Sequence, residues 1–169
     1  VNFDFENEDN LVIPDHYITP FKDIMIQLIR NSLAHGIEER SVRVSQGKIE
    51  KGTISITLDK GENDEILIAY FDDGRGLDMK KIQESAISRG IIPNKLDNNE
   101  KIVDLLFESG FSTADEIDEY AGRGEGLGLV KSIVKEHNGT FKINSESRKF
   151  FEMEIRFPVT DNPETEGVA

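Results

Sequence analysis

The stretch that decides the fold runs Asp72-Asp73-Gly74-Arg75-Gly76-Leu77-Asp78. It follows an apolar run, residues 66–71, whose length and residue types predict a buried strand. A carboxylate at the end of such a strand is poorly solvated unless neighbouring groups donate hydrogen bonds to it. The glycines behind it allow a sharp turn and the close approach of a flat ligand. An acidic surface turn is the alternative, and partners elsewhere in the chain must decide between the two.

The composition limits the classes of protein to consider. A chain of 169 residues predicts one domain with a substantial core, and residues 161–169 suggest a linker or terminal tail. There is no cysteine, no signal-peptide pattern and no long apolar run, so we expect a cytoplasmic protein without disulfides. The net charge of −13 argues against nonspecific binding of nucleic acid or anionic membrane. A phosphate ligand would therefore need local donors or a metal ion.

The hydrophobic periodicity predicts mixed helices and strands. A long helix is expected to begin with Thr19 as N-cap and Pro20 as first helical residue, and to end near Gly36. Further helices are predicted at 38–45, 79–89, 102–107 and after 127, and strands at 2–5, 10–13, 53–58, 65–71, 140–144 and 151–157. This order favours an α/β fold, a two-layer sandwich whose mixed, mostly antiparallel sheet is covered on one face by helices.

Polar residues recur along the long helix at Gln27, Asn31 and His35. Residues four apart lie along one helical stripe, and this stripe is offset from the apolar face. The trio therefore either lines one side of a cleft or is a set of polar residues on a partly solvated helix.

A glycine-rich segment, residues 122–128, leads into the helix that follows it. Backbone N–H groups at a helix start lie at the positive end of the helix dipole and can bind phosphate. The segment matches neither the Walker P-loop nor the Rossmann spacing. A flexible glycine linker is the alternative, and the preceding residues, 108–126, predict either a functional lid or disorder.

Taken together and in this order, the three motifs resemble the ATP-binding catalytic domain of histidine kinases, within the GHKL (Bergerat) ATPase superfamily. Residues 28–38 are similar to the N-box of that family, residues 72–76 to its G1 box and residues 122–128 to its G2 box. The resemblance is closest to the catalytic domain of the chemotaxis kinase CheA. It spans roughly residues 5–160, and we expect residues 1–160 to form this domain.

The resemblance implies roles for particular residues. Asn31 would hold a Mg²⁺ ion that bridges the phosphates of ATP, and Asp72 would accept the amino group of adenine. The segment 109–122 would be the ATP lid. The other positions matched to nucleotide contacts are His35, Gly74, Gly76, Lys81, Ser112, Thr113, Arg123, Gly124, Gly126, Leu127 and Gly128.

The implied activity is transfer of the ATP γ-phosphate to a histidine on a separate phosphoacceptor domain, of the same or a partner chain. Gln27, Asn31 and His35 would be the catalytic positions, and a response regulator would act downstream. The resemblance implies neither nucleic-acid binding nor direct membrane contact. We expect the isolated domain to be monomeric and its parent kinase to be dimeric.

Gln27 departs from the family pattern, because that position usually carries a base, His in CheA and Glu in many relatives. An amide does not accept a proton at neutral pH. A second hypothesis is therefore a nucleotide-sensing pseudokinase that acts through protein contacts. A third, an ATP-driven clamp of the gyrase or MutL type, would need a transducer domain and a basic surface.

Overall fold

A mixed sheet of five strands forms one layer of the computed structural model, which describes residues 1–107 and 126–159. The strands are β1 (Asn2–Asn7), β2 (Thr53–Lys60), β3 (Glu65–Asp72), β4 (Thr140–Glu146) and β5 (Phe150–Pro158). Their order is β1-β2-β3-β5-β4, with β1 parallel to β2 and the other neighbouring pairs antiparallel. The predicted mixed sheet and its two hairpins are confirmed, whereas residues 10–13 form no strand.

Helices form the second layer and cover one face of this sheet. They are α1 (Asp15–Asn31), α2 (Arg40–Ser45), α3 (Met79–Ser88), α4 (Asn99–Asp104) and α5 (Gly126–Glu136). Alternating residues of β2, β3 and β5 pack against α1 and α5 to form the main core, because one face of each of these three strands is buried. Its largest contributors are Ile24, Leu28, Ile54, Ile66, Ile68, Tyr70, Val130, Met153, Ile155 and Phe157. The predicted two-layer α/β sandwich is confirmed.

Helix α1 begins five residues before the predicted first helical residue, so Pro20 lies inside the helix rather than at its first position. The reason is tertiary. Tyr17 is buried, its hydroxyl donates to the Pro158 carbonyl oxygen at 2.6 Å, and its ring centroid lies 5.0 Å from that of Phe157. Burial of this aromatic ring stabilises the extra turn, while a proline forfeits one backbone hydrogen bond of the helix.

Helices α1 and α5 pack side by side and run in opposite directions. Tyr17, near the start of α1, and His137, just after the end of α5, have ring centroids 5.7 Å apart. The N-terminus of α5 therefore faces the C-terminal half of α1, where Gln27 and Asn31 lie.

A smaller core joins α3 to α4 at the side of the molecule. Its buried members are Ile82, Ala86, Ile102 and Leu105. The side chain of Asp78 caps α3, since its Oδ1 accepts a hydrogen bond from the Lys81 backbone N–H at 3.0 Å. The residues that follow the glycine turn are thus anchored in a second packed unit.

The limits of the described chain affect two of the predictions. The segment 109–122, matched to the ATP lid, and the tail 161–169 lie outside the described residues. The domain boundary at residue 160 therefore stays a prediction.

Within residues 1–107 and 126–159, the helices are all too short or too polar to cross a lipid bilayer.

We expect Ile68→Ala to lower the free energy of unfolding by about 2–5 kcal/mol, because it leaves a cavity under the central strand. Ile68 is 1% exposed, whereas Val12 is 83% exposed. The control Val12→Ala should change the same quantity by no more than about 0.5 kcal/mol. Urea denaturation of both variants measures this, and equal effects would contradict the assigned core.

Candidate functional site

The site is built around the carboxylate of Asp72, the last residue of β3. Asp72 pairs with Ile54 across the sheet and shares its face, so its side chain points under the helical layer. It is 2% exposed. A carboxylate in such a position must be hydrogen-bonded, because an unpaired buried charge is costly.

Two donors hold the Asp72 carboxylate, one on each oxygen. The Ser32 hydroxyl donates to Oδ2 at 2.5 Å, and the Gly74 backbone N–H donates to Oδ1 at 3.0 Å. Ser32 Oγ also lies 2.7 Å from the Tyr70 hydroxyl, which donates to the Leu28 carbonyl oxygen at 3.1 Å. These bonds fix the carboxylate between the end of α1 and the turn after β3.

The burial of Asp72 and the charges around it shift its pKa. Burial raises the pKa of the carboxyl above its ordinary value, and the negative charges of Asp73 and Glu38 add to this effect. The hydrogen bonds from Ser32 and Gly74 oppose it. Burial likewise raises the pKa of the Tyr70 phenol, so Tyr70 remains a neutral hydrogen-bond donor. Perturbed carboxyls of this kind are concentrated at functional sites.

The turn after Asp72 is locked against the turn that ends α1. The Arg75 backbone N–H donates to the Gly36 carbonyl oxygen at 2.8 Å. A Cβ at position 74 would lie 2.3 Å from that same oxygen, so only glycine fits there. The N-box and G1 motifs, far apart in sequence, therefore meet directly.

Gly76 is required by the hairpin of β4 and β5. Its φ is +59°, and a Cβ there would lie 2.3 Å from the Glu146 carbonyl oxygen. The Arg148 backbone N–H donates to the Arg75 carbonyl oxygen at 2.6 Å, which joins the hairpin to the turn. The sequence predicts that the two glycines admit a flat ligand, but the close approaches at Gly74 and Gly76 are to protein backbone.

Gln27 and Asn31 lie one turn apart on α1, as predicted, and both are half-buried. His35 follows a different path, because residues Ser32–Gly36 form a π-helical turn in which the Ile37 N–H donates to the Ser32 carbonyl oxygen at 2.7 Å. This wider turn shifts His35 off the predicted stripe, and its side chain is exposed. Single π-turns are frequent at functional sites.

The glycine segment does lead into a helix, since α5 begins at Gly126 and its first turn contains Leu127 and Gly128. The N–H groups of that turn are free of partners within the helix and lie at the end of α5 that is nearest the C-terminal half of α1. Lys131 is directed elsewhere, with its ammonium 4.9 Å from the ring centroid of Phe107. Four other predicted positions, Ser112, Thr113, Arg123 and Gly124, lie outside the described residues.

Lys81 lies on α3, beyond the glycine turn, and its side chain is exposed.

The sequence did not predict Ser32 and Tyr70, which hold Asp72, or the set of charged residues behind the turn. Ser32 could have been found from its place beside Asn31 in the N-box. Tyr70 lies two residues before Asp72, on the same strand face, and this spacing was the available signal.

The chain belongs to the family described as histidine kinase-, DNA gyrase B- and HSP90-like ATPases, which matches residues 20–161. The chain is 39% identical over 142 residues to the chemotaxis protein CheA of Bacillus subtilis, covering 82% of this chain and 21% of that protein. With CheA of Borreliella burgdorferi it shares 35% identity over 161 residues, covering 95% of this chain and 18% of the relative. The chain thus spans about a fifth of the length of these relatives.

Solved structures share the fold. A mycobacterial sensor histidine kinase, MprB, superposes with a TM-score of 0.57 at 16% identity, covering 93% of this chain and 80% of that one. The catalytic domain of the histidine kinase ThkA gives a TM-score of 0.55 at 19% identity, covering 93% and 78%. The α/β sandwich described above is therefore that of histidine kinase catalytic domains.

The raised pKa of Asp72 predicts how stability depends on pH. Because the folded protein holds this proton more tightly than the unfolded chain, its stability should fall as pH rises from the ordinary aspartate value, about 3.9, through the raised pKa. Asp72→Asn lacks this contribution. The thermal midpoint of Asp72→Asn minus that of the wild type should therefore increase between about pH 4 and pH 8. A difference that stays constant with pH would contradict the assigned burial.

Proposed function

We propose that this chain is the ATP-binding catalytic domain of a CheA-like histidine kinase, which transfers the ATP γ-phosphate to a histidine on a separate phosphoacceptor domain. The observation that carries the proposal is the buried, doubly hydrogen-bonded carboxylate of Asp72, joined directly to the helix turn that follows Asn31. The family match and the similarity to CheA support it.

Asp72 supplies the adenine end of the site. An ionised carboxylate accepts hydrogen bonds only, so it selects a ligand edge that carries an N–H donor, such as an exocyclic amine. Its two protein donors fix the orientation of both oxygens. A buried site made to accept a hydrogen bond also rejects ligands that lack the donor, because the carboxylate is then left short of a partner.

Asn31 and the start of α5 supply the triphosphate end. The Asn31 side-chain oxygen would hold Mg²⁺ together with phosphate oxygens, and magnesium sites in nucleotide-binding proteins commonly use few protein ligands. The ion would neutralise charge on the phosphates, a necessary contribution in a chain of net charge −13. The N–H groups of residues 126–128 lie at the positive end of α5, which packs alongside the helix that carries Asn31.

Phosphoryl transfer depends mainly on positioning and charge stabilisation, so the chain's own contribution is to hold the nucleotide. Gln27 stands one turn before Asn31, at the position where the family resemblance implies a base. Its amide can orient the incoming imidazole by a hydrogen bond but cannot take its proton. The acceptor histidine would come from the same or a partner chain, and a response regulator would take the phosphoryl group from it.

A nucleotide-sensing module without catalysis is the second candidate. Gln27 is the observation that favours it, since the binding residues are present and the base is replaced. Such a module would bind ATP through Asp72 and Asn31 and would act through protein contacts alone. Binding experiments do not separate the two candidates, whereas phosphoryl transfer does.

Asp72→Asn should weaken ATP binding by about tenfold or more, because a hydrogen bond to a charged group is lost. The variant should fold. Its amide oxygen can accept from the Gly74 N–H while its nitrogen donates to Ser32, whose hydroxyl then donates to Tyr70. Isothermal titration measures the affinity, with Asp4→Asn on the exposed edge strand as a control of equal charge change. Unchanged ATP affinity in Asp72→Asn would overturn the assigned binding mode.

With Mg²⁺ and ATP radiolabelled at the γ-phosphate, we expect the chain to label the phosphoacceptor histidine domain of its parent kinase. Gln27→His should increase the initial rate by about tenfold to a hundredfold if a general base limits transfer. ATP binding without label transfer, in the wild type and in Gln27→His, would reject the kinase and favour the sensing module.

A further inference from the structure

Four charged residues, two of them buried and two partly buried, form a network behind the glycine turn, on the side away from the Asp72 carboxylate. They are Glu38, Arg43, Lys48 and Asp73, and we call this set the brace. We propose that the brace, through Lys48 and Arg43, orients the peptide units at 73–74 and 74–75 and so positions Asp72 for adenine. This inference rests on the proposed function and names further positioning residues for it.

Arg43 anchors the brace from α2. Its side chain is 1% exposed, although arginine is seldom fully buried. The guanidinium donates to Glu38 Oε2 at 3.0 Å, to Asp73 Oδ2 at 2.8 Å and to the Ile49 carbonyl oxygen at 2.8 Å. A planar group with several fixed donors suits such a site, because each contact restricts the same plane. Arg43 thereby ties the segment after the N-box to the G1 turn.

Asp73 faces away from Asp72 and is held at both carboxylate oxygens. Oδ1 accepts from the Thr53 backbone N–H at 2.8 Å, while Oδ2 binds Arg43. Asp73 directly follows the last residue of β3, and its backbone N–H donates to the Thr53 carbonyl oxygen at 3.2 Å, so fixing Asp73 restricts the adjoining Asp72. The acidic pair is therefore divided between two tasks: Asp73 belongs to the brace and Asp72 to the site.

Lys48 holds two consecutive peptide carbonyls. Its ammonium donates to the Asp73 oxygen at 2.9 Å, to the Gly74 oxygen at 2.6 Å and to Glu38 Oε1 at 2.8 Å. Burial by itself would raise the pKa of Glu38. The hydrogen bond from Lys48 and the charges of Lys48 and Arg43 together outweigh burial, so the pKa of Glu38 lies below its ordinary value. Glu38 therefore stays ionised and keeps the ammonium in place.

The peptide geometry transmits this hold to the site. In a trans peptide the C=O and the N–H point in opposite directions. The Asp73 oxygen is bound by Lys48 and by Arg43, so the Gly74 N–H of the same unit points the other way, at Asp72 Oδ1. The Gly74 oxygen is bound by Lys48, and the Arg75 N–H of that unit points at the Gly36 oxygen.

Each of these peptide units is polarised as well as oriented. A cation at the carbonyl oxygen draws electron density away from the N–H and strengthens the bond that it donates. The brace therefore acts on both contacts that define the adenine end of the site: the bond to the Asp72 carboxylate and the junction of the turn with α1.

The test compares ATP with purine riboside triphosphate, which lacks the 6-amino group. In Lys48→Met we expect the ratio of the two affinities to fall about tenfold, because Asp72 loses its orientation, while the affinity for the purine nucleotide changes less than about twofold. Lys48→Arg, which keeps the charge, should restore much of the ratio. Lys51→Met, at an exposed position in the same segment, should leave the ratio unchanged.

The outcomes separate the inference from the proposed function. An unchanged ratio in Lys48→Met, or an equal loss of affinity for both nucleotides, would overturn the positioning role. If Asp72→Asn keeps the preference of the wild type for ATP, the proposed function fails instead. Should Lys48→Met not fold, the Glu38→Gln/Lys48→Met double variant, which leaves no unpaired buried carboxylate, is titrated in its place and judged by the same ratio.

Discussion

The burial of one carboxylate is the constraint on which the rest of this structure depends. Asp72 ends the central strand with its side chain under the helical layer, where an unpaired charge would not be tolerated. The Ser32 hydroxyl and the Gly74 N–H both donate hydrogen bonds to the carboxylate, and because they belong to separate elements, the two elements meet at Asp72. The contact between the end of α1 and the turn after β3 is thus a hydrogen-bonded junction, and its geometry follows from the needs of the carboxylate.

Much of the fold could be predicted because the strands alternate strictly in sequence. Residues 53–58 and 151–157 place every second side chain in the core, and a period of two is hard to mistake. The start of α1 could not be predicted, since it depends on Tyr17 packing against Phe157 at the far end of the chain. The π-turn at 32–36 could not be predicted either, because local periodicity does not distinguish a regular α-helix from one that widens by one residue.

The candidate site also has a part that could be predicted from the sequence and a part that could not. Asp72, Asn31 and the glycines could be found because their spacing along the chain carries the signal. Arg43 and Lys48 could not, since the segment 38–48, although predicted in part as a helix, is polar and carries no local signal of burial. Their burial arises only when the segment 38–48 folds behind the turn and meets Asp73, a contact across 25 to 30 residues. A buried charge network of this kind has no local pattern, because each partner is supplied by tertiary structure.

Asp72 and Gln27 differ in how much each residue costs the folded state. Burial raises the pKa of Asp72, which means that the ionised form is held at a cost to folding. An asparagine would avoid that cost, since its amide oxygen could accept from the Gly74 N–H and its nitrogen could donate to Ser32, so the fold alone does not require a charge here. Gln27 is half-buried on α1, where a change of residue disturbs little of the core. Asp72, the residue proposed to bind adenine, is therefore the costly element of the site. The presence of this buried charge supports the proposal that the chain binds a nucleotide, and that support does not depend on the residue at position 27.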